Sequence, residues 1–236
     1  MTAFPGGTSV SRLSVYDWPT PDGVRGGSPH LHTVSAEGYV VLSGSGSLET
    51  LSAAGHEEHE LTAGRVLWFS PGTVHRLVNT GGDLDIVVVM QNAGLPESGD
   101  AVFTFPPAVL ADPERYRKAA TLPATDDDAA LADAARRRRD LAIEGYLPLR
   151  EQIRNGDKSA LTDLHNAAAA LVRDRIGLWH EQWRQRPLAQ AVTTGEQLNA
   201  LGDGEASHLA EAAVHIAPGP VPRYGMCGHL STWQLA

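Results

Sequence analysis

The sequence predicts a mainly β protein, with a β-barrel over residues 1–108 and an α-helical extension with short tail strands over residues 109–236. Up to Pro106 and Pro107, short apolar stretches alternate with glycine-rich turns at regular spacing, which is typical of barrel strands. Beyond the two prolines the chain is rich in Ala, Arg, Asp and Leu, which favour helices. We expect the second part to be no catalytic domain of its own, because it carries no second histidine-rich ligand set and no nucleophile motif. Its apolar residues lie on one helix face and in short tail strands, so we expect it to pack on the barrel as a cover.

The predicted barrel strands are apolar stretches with β-branched or aromatic residues, and turn residues separate them. They are Tyr39–Leu42, Leu48–Leu51, Arg65–Phe69, Asp85–Met90 and Ala101–Phe105. Gly81, Gly82 and Asp83 mark the turn before the Asp85 strand.

Two helices are predicted in the second part. One covers Ala129–Arg139, with acids at Asp126–Asp128 before it and Arg136–Arg139 near its end, a polarity that complements the helix dipole. The other covers Ser159–Arg186 and carries an apolar stripe that includes Trp179 and Trp183. We expect Pro187 to end this helix. The stripe can pack on the outer face of the barrel or on a second subunit.

The tail has strand-like composition in two places, Ala213–Ala217 and His229–Leu235. A connection rich in proline and glycine, Pro218–Gly228, separates them. These strands can extend the sheet of the barrel or cover one of its ends.

The charge and the single cysteine limit the classes of partner. A net charge of -9 disfavours nucleic-acid binding, which draws on clustered lysine and arginine. With Cys227 as the single cysteine, an internal disulfide is excluded. The first residues do not resemble a signal peptide, and no apolar run approaches the roughly 20 residues of a membrane span. We therefore expect a cytoplasmic protein that binds a small-molecule substrate, with neither nucleic acid nor membrane as a partner.

Two histidine-bearing segments carry the chemistry. The first holds His30, His32 and Glu37 and runs on to Gly44; the second begins at Gly64 and leads through Gly72 to His75. Alternate residues of a strand face the same way, so His30 and His32 share one face. Three imidazoles and one carboxylate are enough to hold a divalent transition metal and leave positions open.

These segments resemble the two signature motifs of the cupin superfamily. The first, Gly-x5-His-x-His-x(3,4)-Glu-x6-Gly, is matched from His30 to Gly44, although Val24 stands at the place of its opening glycine. The second, Gly-x5-Pro-x-Gly-x2-His-x3-Asn, is matched at Gly64, Gly72, His75 and Asn79, with Ser70 at the place of the proline. The resemblance covers roughly residues 10–105 and implies a double-stranded β-helix barrel.

The resemblance further implies one divalent transition metal ion per chain (Fe, Mn, Ni, Co or Zn) on His30, His32, Glu37 and His75. Glu37 can be a ligand or the catalytic base. Strand alternation places Tyr39 and Leu77 on the ligand side, where they can contact substrate or belong to the core. Trp68 is a further candidate for the substrate pocket, although the Pro71-Gly72 turn breaks the alternation.

Three functions follow as expectations. The foremost is a metal-dependent oxygenase or dioxygenase acting on a small organic molecule. The second is an isomerase, epimerase or lyase that uses the metal as a Lewis acid without oxygen. The third is a sensor that binds a small ligand without catalysis. We also expect a homodimer, because the apolar helix stripe must be buried somewhere.

Overall fold

Two antiparallel sheets form the barrel in the computed structural model, which describes residues 4–235. The strands are β1 (Ser9–Val15), β2 (His30–His32), β3 (Glu37–Ser43), β4 (Ser45–Ser52), β5 (Gly55–Thr62), β6 (Val66–Phe69), β7 (Val74–Val78), β8 (Asp85–Met90), β9 (Ala101–Phe103), β10 (Val221–Tyr224) and β11 (Gly228–Thr232). One sheet has the order β10-β11-β1-β8-β3-β6 and the other β5-β4-β7-β2-β9. The predicted double-stranded β-helix with a helical extension is confirmed.

The barrel interior is apolar because alternate residues of each strand point inward. In β1, Leu13 and Val15 are buried while Arg12 and Ser14 are exposed. The inward residues of both sheets form one core cluster. Its members include Leu13, Val15, Tyr39, Val41, Leu48, Leu77, Ile86 and Val88.

The turn between β3 and β4 requires glycine. Gly44 has a φ of 78°, and a Cβ atom there would lie 2.4 Å from the carbonyl oxygen of Asp83. Both the positive φ and the close approach exclude larger residues. This turn carries the chain from one sheet to the other, so it helps to bring the two faces together.

The helices lie after the ninth strand. They are α1 (Pro107–Leu110), α2 (Pro113–Ala120), α3 (Asp128–Arg154), α4 (Ser159–Val172), α5 (Ile176–Trp183) and α6 (Ala189–Gly202). Asp112 caps α2 and Asp127 caps α3, each accepting hydrogen bonds from two backbone N–H groups. No helix within residues 4–235 is long and apolar enough to cross a membrane.

The helices pack on the outer face of the five-stranded sheet and form a second core. Outward residues of that sheet, including Leu31, Leu51, Val74 and Val102, join buried residues of the helices. The stripe residues Leu161, Leu164, Ala168, Val172 and Trp179 belong to this cluster. Most of the stripe therefore packs within the chain, on the outer side of the barrel. Trp183, a predicted stripe residue, is 39% exposed and lies outside this cluster.

A buried polar network also joins α3 to this sheet. Arg76 of β7 is fully buried and donates to both carboxylate oxygens of Asp22, at 2.7 and 2.9 Å. Glu49 of β4 accepts from the Tyr146 hydroxyl at 3.2 Å and from Arg150 at 3.0 Å. Arg76 is thus paired within a low-dielectric setting, where an unpaired charge would be costly.

The second predicted helix differs from the observed one. Pro187 does not end it, because a π-helical segment at Arg184–Leu188 accommodates the proline and α6 continues to Gly202. Proline has no backbone N–H, and the wider π-helical turn does not require the α-helical hydrogen bond that this N–H would make. The first predicted helix is also longer than expected. Arg136–Arg139 lie in the middle of α3, which ends only at Arg154.

The tail is partly as predicted. β11 covers most of His229–Leu235 and pairs with β1, so the tail does extend a barrel sheet. The prediction of a strand at Ala213–Ala217 is wrong, since this stretch has no regular structure and its residues are exposed. β10 lies instead in the supposed connection, where Val221 to Tyr224 pair with β11. The division of the chain into a barrel domain and a helical extension at residue 108 stays a prediction.

Candidate metal centre

Three strands bring the histidine segments together. β2 supplies His30 and His32, β7 supplies His75, and β3 of the opposite sheet supplies Glu37. His30 and His75 are direct partners in the β2–β7 register, so their side chains share one face. All four side chains are buried, with 0 to 8% of each residue exposed. The metal-ligand candidates of the sequence therefore meet in the barrel interior.

The ligand atoms converge on one point. Nε2 of His75 lies 3.1 Å from Nε2 of His30 and 3.1 Å from Oε2 of Glu37. Nε2 of His32 lies 3.2 Å from the same carboxylate oxygen. One ligand atom from each of the four residues lies within 4.8 Å of the others.

The outer ring nitrogens fix which nitrogen carries the proton. Nδ1 of His30 lies 2.9 Å from the carbonyl oxygen of Ser28, and Nδ1 of His75 lies 3.2 Å from that of Thr73. A carbonyl only accepts, so Nδ1 is the donor in both rings. Their Nε2 lone pairs consequently face the centre, as in histidines that bind metals.

Charge in the cluster is set by burial and by its neighbours. Burial, together with the neighbouring His75 and His32, lowers the pKa of His30 well below its ordinary value, so its ring is neutral. Burial alone would raise the pKa of Glu37, but the nearby histidines lower it well below its ordinary value. Burial likewise opposes protonation of His32, yet Asp100 and Glu37 raise its pKa to about 9. A neutral imidazole and an ionised carboxylate are the forms that bind metals, so His30 and Glu37 are ready to bind, whereas His32 would release its proton when an ion binds.

These residues fit a divalent transition metal. Oε2 of Glu37 is buried, and within residues 4–235 it forms no hydrogen bond of good geometry, although Nε2 of His32 and of His75 lie 3.2 and 3.1 Å away. Such an atom is costly to bury unless a cation or a donor faces it. The donors are three imidazole nitrogens and one carboxylate, a set that suits Fe, Mn, Ni, Co or Zn and lacks the thiolates preferred by soft ions.

The turn that leads to His75 is fixed from two sides. Gly72, at a φ of 84°, donates its N–H to the carbonyl oxygen of His32 at 2.8 Å. Its own carbonyl oxygen accepts from Nε2 of His165 on α4, also at 2.8 Å. The helical extension thus contacts the segment that positions the third histidine.

Asp100 is a site residue that the sequence did not reveal. Its Oδ2 lies 3.5 Å from Nδ1 of His32, on the side away from the cluster. The carboxylate also accepts from the Thr33 and Val34 N–H groups at 2.8 Å each and from the Ser35 N–H at 3.0 Å. These backbone donors hold Asp100 in place behind His32. The residue lies outside both histidine segments, so spacing gave no signal for it.

The predicted substrate contacts have different outcomes. The prediction for Trp68 is wrong: this residue is 76% exposed. In the β3–β6 register it faces Gly38, on the outer side, whereas Phe69 faces Glu37. The Phe69 ring lies 4.4 Å from the His75 ring, between centroids. Tyr39 and Leu77 are buried in the barrel core, and their contact with substrate stays a prediction.

The tail adds one more neighbour to the cluster. Sγ of Cys227, at the turn between β10 and β11, lies 3.9 Å from Nδ1 of His30. Burial raises the pKa of this thiol, and its sulfur lies on the Nδ1 side of His30, away from the converging Nε2 atoms.

Comparisons with known proteins give one family match and several structural neighbours. Residues 20–90 match the family model described as Cupin domain, and no curated protein matches the chain. A double-stranded β-helix domain protein from Klebsiella pneumoniae is 19% identical, over 40% of this chain and 74% of that one, with a TM-score of 0.31. Pac13 of Streptomyces, a nucleoside dehydratase, is 20% identical over 42% of this chain and 69% of that one, with a TM-score of 0.32. A predicted oxalate decarboxylase from Thermotoga maritima is 21% identical over 36% of this chain and 64% of that one, with a TM-score of 0.27.

The family match spans both histidine segments, and the strands that carry them build a double-stranded β-helix. The resemblance of the motifs to the cupin signature is thereby confirmed. Residues 20–90 of this chain are therefore a cupin domain.

Proposed function

We propose that the barrel binds one divalent transition metal ion per chain and is a metal-dependent enzyme acting on a small organic molecule. The observation that carries this proposal is the convergence of Nε2 of His30, His32 and His75 with Oε2 of Glu37 in a buried site. The Nδ1 contacts behind His30 and His75 support it, because they orient both rings toward the centre.

Among reaction classes we place an oxygenase first. When bound, the ion would supply Lewis-acid and redox chemistry at positions that the protein leaves open. The chain itself would exclude water, since Phe69, Tyr39 and Leu77 line the interior next to the ligand residues. A dry, apolar interior protects reactive species from side reactions with water.

A second candidate is a non-redox isomerase, epimerase or lyase. The observation that favours it is Tyr39, because burial and the nearby Glu37 raise its pKa well above the ordinary value. Tyr39 would keep its proton and donate a hydrogen bond to a substrate oxygen. Glu37 would serve as the base that accepts a proton from carbon, in place of its role as a ligand. A ligand sensor without catalysis is a third candidate. A cytoplasmic location and the lack of nucleic-acid and membrane partners stay predictions from composition.

Metal analysis of the full chain tests the metal site. We expect about one transition metal ion per chain in protein purified without chelators, and its loss in the His32→Ala, His75→Ala double variant. A matched control is His59→Ala with His180→Ala, since both of these histidines are exposed and lie outside the cluster. Equal metal content in the two double variants would refute the assignment.

The reaction classes separate by their need for oxygen. Protein reconstituted with Fe(II) would be incubated with a panel of small organic acids in an oxygen electrode and, in parallel, under anaerobic conditions. Substrate-dependent oxygen uptake supports the oxygenase. Product formed without oxygen supports the non-redox enzyme. Ligand binding without any product supports the sensor.

A further inference from the structure

A cavity of about 430 Å³ lies between the edge strand β9 and the helical extension. Three arginines from separate elements line it: Arg117 of α2, Arg138 of α3 and Arg175 of the turn after α4. Asp174, which is exposed, also lines the cavity. Positive charge therefore predominates in its walls.

Arg138 and Arg175 are half-buried and Arg117 is exposed, and within residues 4–235 none of the three has a carboxylate partner. Arg138 is half-buried, and its terminal nitrogens donate only to the backbone carbonyls of Ala120 and Gly225, at 3.2 and 2.8 Å. Its Nε is buried without a hydrogen-bond partner. A desolvated cation without a counter-charge is unfavourable, so an anion in the cavity would compensate it.

Tyr116 adds a neutral donor to the same cavity. Its hydroxyl oxygen accepts the N–H of Phe103 at 3.1 Å, which leaves the hydroxyl proton free to be donated. Burial raises the pKa of Tyr116 to about 12, so this proton is retained at neutral pH. Guanidinium groups and a phenol together suit a carboxylate or a phosphate.

The cavity adjoins the histidine cluster through β9. Ala101 and Phe103 line it, and they are the register partners of His32 and His30 respectively, so all four side chains lie on one face. The Phe103 ring lies 6.4 Å from the His30 ring and 5.2 Å from the guanidinium carbon of Arg138. The Phe103 ring thus lies between His30 and Arg138.

We propose that this cavity binds an anionic group, a carboxylate or a phosphate, of the molecule on which the barrel acts. The inference rests on the proposed function, because it assigns the arginines to the substrate of the same site. It narrows the substrate class to small organic acids or phosphate esters.

The test measures anion binding directly. Isothermal titration of the full chain with inorganic phosphate, and separately with acetate, would be done in a buffer free of both. The variant is Arg117→Gln with Arg175→Gln. Arg117 donates to the Pro113 carbonyl of its own helix and Arg175 to the Ser98 carbonyl. Arg138 is kept because it joins two separate backbone segments, at Ala120 and Gly225, which its replacement would disturb. The control is Arg115→Gln with Arg173→Gln, which removes the same charge from the same two elements at exposed positions that do not line the cavity.

We expect the variant to bind at least one of the two anions about tenfold more weakly than the wild type, and the control to bind it as the wild type does. If phosphate binds more tightly than acetate, the anionic group is a phosphate; if acetate binds more tightly, it is a carboxylate. Equal affinity in wild type, variant and control would overturn the inference. Metal content is measured on the same samples. If metal is absent while binding still depends on Arg117 and Arg175, the anion site stands and the proposed metal function fails.

The link to the substrate has its own measurement. With Mn(II) bound, the phosphorus relaxation of bound phosphate should be enhanced in the wild type and in the arginine control, because the cavity lies one ring from His30. No enhancement in Mn(II)-loaded wild type would place the anion away from the metal and overturn this part of the proposal.

Discussion

Asp100 is the carboxylate behind the His32 ring, with its Oδ2 3.5 Å from Nδ1, and we expect it to orient that ring. We expect Asp100→Asn to lower the affinity for Zn(II) or Co(II) by about 10- to 100-fold, the range known for residues that orient metal ligands. The measurement is a competition titration with a chromophoric chelator. Asp112→Asn is the control, since Asp112 caps α2 by the same kind of backbone contact outside the cluster. Unchanged affinity in Asp100→Asn would show that His32 needs no support.

The sequence predicted the four residues of the cluster correctly as neighbours, because strand alternation and motif spacing depend only on local geometry. Reliance on strand alternation alone also led to the wrong position for Trp68. The turn at Pro71 and Gly72 interrupts the alternation, and only the pairing of β6 with β3 shows that Phe69 faces inward. Asp100 could not be found, since a residue that acts through its position behind another ring leaves no pattern in the sequence.

Gly145 is the point at which α3 can approach the barrel. A Cβ atom there would lie 2.2 Å from the carbonyl oxygen of Thr104. We therefore expect Gly145→Ala to lower the free energy of unfolding by about 1–3 kcal/mol, although alanine favours helices, because the helix would have to move away from the backbone at β9. Chemical denaturation measures the change.

The control for this prediction is Gly195→Ala in α6, where a Cβ atom would meet nothing within 4 Å. There the higher helix propensity of alanine should raise the free energy of unfolding by up to about 1 kcal/mol. A stabilising effect of Gly145→Ala would mean that α3 does not depend on this close approach.

Among the helices, the sequence was informative about type and less so about ends. Apolar periodicity identified α4, whose stripe is buried, and the acids before α3 do cap it. The spacing of apolar residues does not show that a π-helical turn accommodates Pro187. It also does not show that α3 continues past Pro148. The strand predicted at Ala213–Ala217 failed because apolar composition alone does not supply a neighbouring strand.

The homodimer stays a prediction, and the structure changes its basis. Most of the stripe on α4 and α5 is buried within the chain, although Trp183 is 39% exposed, and α6 has no buried residue. Leu198 and Leu201 of this helix are 64% and 49% exposed. Exposed apolar surface of this kind favours association.

We expect light scattering at micromolar concentration to give the mass of two chains for the wild type and of one chain for Leu198→Glu with Leu201→Glu. Thr193→Glu with Asn199→Glu is the control, because it adds the same charge to polar, exposed positions of the same helix. A wild type of monomer mass, or dissociation of both variants, would contradict the dimer through α6.

The pairing of β1 with β11 has a consequence for the order in which the protein can be completed during translation. β1 obtains β8 as a neighbour once residue 90 has been made, whereas its other neighbour needs residues 228–232. At a synthesis rate of about 5–20 residues per second, the free edge of β1 waits roughly 7 to 30 seconds. The same late residues bring Cys227 beside His30. The nascent chain therefore carries its histidines in an incomplete barrel while the whole helical extension is being synthesised.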